Sequence, residues 1–152
     1  MTHMTAPDPL LDSQFYDGVP ARRLVAFCID VVVVFAIWCV VLLLGLILTV
    51  VTLGLGAPLA ALAASVTDFL YRWILLAQGS ATLGMRLTGV EIRDSAGRRL
   101  DAVTAFLHVA GFYVTLFFLP LLVIGWVLMA ATPHRRLLHD IPLGAVAINR
   151  PA

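Results

Sequence analysis

The run from Leu24 to Leu53 contains one charged residue, Asp30. An α-helix rises 1.5 Å per residue, so about 20 apolar residues cross a hydrocarbon layer about 30 Å thick. The run exceeds that length. It is also much longer than a signal-peptide core, and no small-residue cleavage site closes it, so it reads as a retained membrane helix. Composition agrees: 61% of residues are hydrophobic and 12% charged, against about 25% charged in soluble domains. That balance excludes a soluble globular enzyme, a disordered chain and a disulfide scaffold. The formal charge of +1 gives no support to nucleic-acid binding. Cys28 and Cys39 share the apolar run and read as small lipid-phase residues.

The pattern predicts a polar N-terminal segment, 1–20, and one membrane domain, 21–150. Its apolar segments fall at about 24–53, 57–78 and 103–132. Gly54, Gly56 and Pro58 mark a short turn between the first two. The second segment carries Asp68 and Arg72, four apart and so on one helical face with the acid first, the favourable order. Its first half has small residues four apart, such as Ala57 with Ala61 and Ala61 with Ser65. These either let another helix approach or are plain filler. A polar loop follows, holding Arg86, Arg93, Arg98 and Arg99. Short strands are expected near 88–93 and 144–149.

Arginine placement puts the N-terminus, the polar loop and the tail on the cytoplasmic side. The third apolar block must then cross an even number of times. It is too short for two full spans, so two short helices folding near Pro120 are favoured over one tilted helix. The expected fold is a membrane all-α bundle of three to four helices with a minor cytoplasmic β element.

Three stretches resemble the RDD family of small multi-pass membrane proteins. The first is Arg22-Arg23-Leu24-Val25-Ala26-Phe27-Cys28-Ile29-Asp30. The second is Gly79-Ser80-Ala81-Thr82-Leu83-Gly84-Met85-Arg86, similar to a Gly-x-x-Thr-x-Gly-basic-Arg motif, with Met85 where Lys is frequent. The third is His139-Asp140 with Gly144, similar to a His-Asp-x-x-x-Gly motif, with Ala145 in place of the typical Thr. His108 stands where a basic residue is often found. The resemblance implies that Arg23, Asp30 and Asp140 are the name-giving residues, with Gly84, Arg86, His139 and Gly144 in support. It implies a bacterial inner membrane. A transport role is suggested for the family, some of whose members are described as cation/proton antiporters.

Arg23 and Asp30 lie two helical turns apart on one face, about 10 Å along the axis, too far for an easy tight pair. An ionised Asp inside a bilayer costs about 2.5–3.5 kcal/mol at a helix centre, so Asp30 must be paired, protonated or beside water. Two roles follow: a cation or proton site, or a clasp accepting hydrogen bonds from Arg86, Arg72 or a backbone end. Asp140 is expected near the interface, solvated, in a salt bridge with Arg86, Arg23 or Arg135. His139 is expected on the cytoplasmic face. His134, His139 and Asp140 match no established metal-ligand spacing, and no metal or cofactor is expected. No Walker, Gly-x-Ser-x-Gly, His-Glu-x-x-His or Cys-x-x-Cys motif occurs, so enzymatic activity is not expected. Two functions remain. One is a small-solute or cation/proton transporter working as a homo-oligomer. The other is a non-catalytic module that docks a membrane-protein partner.

Overall fold

The computed structural model describes residues 13–131 and 135–150. Helix α1 spans Val19–Val51, 33 residues, and α2 spans Gly56–Gly79, 24 residues. At 1.5 Å per residue these are about 50 and 36 Å long. Both are long and apolar enough to cross a membrane. The start of α1 at Val19, ahead of the predicted residue 24, follows from Pro20. Proline suits a helix's first turn, where its missing N–H leaves no bond unmade.

The buried residues of α1 include Val19, Arg23, Ala26, Asp30 and Val34, a stripe with helical spacing. Outside that stripe the helix is apolar and exposed, as at Val32 (68%) and Leu43 (59%). The arrangement inverts a soluble helix: charge faces protein, and hydrocarbon faces outward. The helices turn between Val51 and Gly56, where Gly54 has φ +104°. Near this end Gly45 packs so closely on Ala60 that a Cβ on Gly45 would collide with it.

The third apolar block is two helices, α4 (Ala102–Phe117) and α5 (Leu119–Ala131). They meet at a 114° bend. Pro120 in the first turn of α5 accounts for the break, since it cannot donate back to the preceding turn. At 16 and 13 residues, neither piece reaches the roughly 20 residues of a full span. The bend is well short of an antiparallel hairpin. Together they form either one broken span or a re-entrant loop, which gives two or three candidate spans in all.

Between α2 and α4 lie a short helix, α3 (Leu83–Thr88), and strand β1 (Val90–Arg93). Strand β2 (Val146–Asn149) pairs antiparallel with β1, Val90 opposite Asn149 and Arg93 opposite Val146. The Asn149 amide donates to the Gln14 and Asp17 carbonyls. Residues before α1, between α2 and α4, and after α5 therefore meet at one end of the bundle. Val90, Ile92, Ala145 and Ala147 form a small core there with Val19 and Leu76. Tyr16 is buried against Val146 and Ile148.

Candidate functional site

Asp30 is 1% exposed and saturated with partners. It accepts hydrogen bonds from the Tyr71 hydroxyl at 2.7 Å, the Thr82 hydroxyl at 2.6 Å and the Gly84 N–H at 2.8 Å. The Arg72 guanidinium lies 3.9 Å away. The spacing of the Thr-x-Gly motif thus has a physical reason. Thr82 caps α3 by accepting from the Met85 N–H, and also bonds Asp30. Gly84 presses on the α1 backbone, where a Cβ would collide with the Ala26 carbonyl and come within 2.9 Å of an Asp30 oxygen. Only glycine brings that N–H to the carboxylate.

Arg72 links Asp30 to a second carboxylate. Its Nε donates to Asp68 at 2.9 Å, and the Tyr113 hydroxyl also donates to Asp68. The guanidinium sits 4.9 Å from the centre of the Phe112 ring and 5.7 Å from that of Phe27. Aromatic faces attract such a cation most strongly where water is scarce.

The third cluster joins the ends of the chain. Arg23 donates to Asp140 at 2.7 Å, and Asp140 is 0% exposed. The Leu137 N–H donates to the same oxygen, Oδ2, at 2.9 Å. Oδ1 faces two imidazoles, His108 Nδ1 at 3.5 Å and His139 Nε2 at 3.6 Å. Burial alone would raise the Asp140 carboxyl, but the charge and hydrogen bond of Arg23 prevail and hold it well below the usual range. Burial pulls the His139 imidazole down to about 3, which the Asp140 charge opposes only in part. His139 is therefore neutral near pH 7.

Arg23, Asp30, Arg72, His108 and His139 all border one cavity of about 190 Å³. Leu116, Leu121 and Leu122, on either side of the α4–α5 break, line it too, with Gly125 and Met129 of α5. Irregular backbone at membrane depth is tolerated where it lines a cavity or packs on protein.

Several sequence expectations need correction. Asp140 is fully buried, not solvated, because the tail folds back onto α1. His139 is likewise buried, against His108, with ring centres 4.9 Å apart. Arg86 contacts neither Asp30 nor Asp140. It donates to the Ala81 carbonyl and lies over Gly79, so its role is to hold the loop. Arg135 donates to the Ala130 carbonyl. Gly144 has φ +62°, which explains a glycine there, and it lies against Ser95 rather than in the cluster. As the helical spacing implied, Arg23 and Asp30 do not pair with each other; each meets a residue distant in sequence. His134 lies outside the described residues. Sequence reasoning missed Tyr71 and Tyr113, whose hydroxyls go to Asp30 and Asp68. It also missed Thr115, which sits 3.4 Å from His139 Nδ1.

Long lipid-facing helices around an internal cluster of ion pairs define a membrane protein whose polar chemistry is enclosed. The RDD family model matches residues 18–144, and the chain belongs to the RDD family. No curated protein and no solved structure matches the chain.

Proposed function

We propose that this is a multi-pass transport protein for a small solute or cation. It works as a homo-oligomer in a bacterial inner membrane, with the clustered chain segments on the cytoplasmic side. The observation that carries this reading is the cavity. It lies between α1, α2 and a broken helix, and two guanidiniums and a carboxylate reach its wall. Discontinuous helices that leave backbone groups beside a site within the membrane are a recurrent way to build solute sites. Few helices enclose the cavity, so a complete pathway needs neighbouring protomers. Asp30 serves as a clasp here, since its partners leave little free valence for an ion.

Flux in proteoliposomes tests the reading. A pH-sensitive dye inside the vesicles reports proton movement under Na⁺, Li⁺ or K⁺ gradients. Gly125→Leu fills the cavity, and it should abolish the flux while the protein stays monodisperse. Absence of flux from well-folded wild type in several lipid compositions overturns the reading. A second reading, docking of a membrane-protein partner, draws on the exposed stripe Ala57, Ala61 and Ser65 on α2. Loss of a co-purifying partner in Ala61→Leu supports it.

A further inference from the structure

The hydroxyl of Thr115 donates to the Phe112 carbonyl at 2.7 Å. Its oxygen is then free only to accept, which favours the His139 tautomer with the proton on Nδ1, 3.4 Å away. That tautomer leaves a lone pair on His139 Nε2, pointing at Asp140 Oδ1, itself an acceptor. His108 Nδ1 is buried on the same oxygen and has no hydrogen-bond partner. At 3.5 and 3.6 Å these contacts are too long to be good hydrogen bonds. Acceptors therefore converge on a gap. Apart from the Arg23 guanidinium, whose second nitrogen reaches Oδ1 only at a long 3.5 Å, no good hydrogen bond satisfies these groups, and burying them so is costly.

We propose that the gap is a binding site for a divalent transition-metal ion of the Zn²⁺ class. The ligands are His108 Nδ1, His139 Nε2 and Asp140 Oδ1. The three donor atoms lie within 4.8 Å of one another. Bonds of about 2.0–2.2 Å in a tetrahedron put ligand atoms about 3.4 Å apart, close to the two contacts that Asp140 makes. Neutral imidazole and carboxylate are the donors that such an ion takes. The surrounding partners match a metal site too. Arg23 holds Oδ2 and turns Oδ1 inward, and Thr115 fixes the His139 ring through its other nitrogen. His108 and His139 both border the cavity, which leaves the fourth position for water or an incoming ligand. The site goes beyond the transport reading and stands without it, since it concerns binding alone.

The test uses the full chain in detergent micelles, stripped with a chelator and titrated with Co²⁺, then competed with Zn²⁺. A Cys28→Ser/Cys39→Ser background removes the two thiols, and His3→Gln/His134→Gln removes the other two imidazoles. One Co²⁺ per chain is expected in that background, with the intense visible absorption of a tetrahedral site, displaced by Zn²⁺. His108→Phe and His139→Gln should each weaken binding by at least about 100-fold. Thr115→Val, which leaves the ligands in place, should weaken it about 10–100-fold. Circular dichroism and monodispersity confirm that each variant is folded. No uptake by the wild-type chain overturns the proposal and leaves a water molecule between the rings. Uptake that survives both histidine variants overturns it as well.

Discussion

Two buried aspartates in this chain are built in opposite ways. Asp30 meets two hydroxyls and a backbone N–H at 2.6–2.8 Å, with a guanidinium beyond them. Asp140 has one oxygen held by Arg23 and Leu137, while the other takes only a long 3.5 Å contact from Arg23 and faces two imidazoles that form no good hydrogen bond to it. A fully satisfied network specifies one packing, whereas a partly satisfied one has room for a ligand. The difference separates a clasp from a site, although Asp30 and the two imidazoles beside Asp140 border the same cavity. Asp30 fastens the α2–α3 loop to α1. Asp140 fastens the tail to α1 and keeps one oxygen for other use.

The largest effect is expected at the ion pair. Arg23→Ala leaves Asp140 buried without its partner, which should cost about 3–5 kcal/mol. Thermal unfolding in detergent reads this as a large fall in Tm. A variant as stable as wild type would show that the tail does not depend on the pair.

Next come the partners of Asp30. Thr82→Val removes a hydrogen bond to a carboxylate and the cap of α3, a loss of about 1.5–3 kcal/mol. Gly84→Ala forces α3 away from the Ala26 carbonyl, at a cost of about 1–3 kcal/mol. Asp30→Asn sharpens the comparison directly. As a clasp Asp30 predicts lower abundance and Tm, and as an ion ligand it predicts lost flux at unchanged Tm. A variant both stable and active excludes both roles.

A third aspartate calibrates the other two at the surface. Asp101 caps α4, accepting from the Thr104 N–H at 2.8 Å. Those hydrogen bonds to Thr104 hold its carboxyl below the ordinary value, about 3.9 in an unfolded chain. A depressed folded value means that the stabilisation is complete above the unfolded value and lost as pH falls through the folded one. Wild type should therefore lose a little α4 stability below about pH 4, and Asp101→Asn should lack that acid step. The smallest effect is expected from Ala57→Leu on the exposed face of α2, with Tm unchanged within error. A large change there would mean that the stripe is packed against another chain.

The sequence by itself determined the class of protein. A long run with one charge needs hydrocarbon around it, whatever the tertiary details. The Arg, Thr-x-Gly and His-Asp motifs also marked the residues that the fold gathers, since family membership follows from their order. Helix ends were legible where a local rule acts, as with Pro20 starting α1 and Pro120 breaking the third block. The pairing of the charges was not legible. Arg23 could reach along its own helix toward Asp30, or across to a tail far away in sequence, and helical periodicity is silent on that choice. Burial was equally hidden. His139 and Asp140 lie in a polar stretch that reads as solvated, and they become interior only when β2 pairs with β1 and draws the tail over α1. His108 stood out in the sequence only as a residue at a place where a basic one is often found, with no partner assigned. The packing of α4 against the tail set its ring beside His139 and Asp140, because side chains from three segments meet only once the chain has closed on itself.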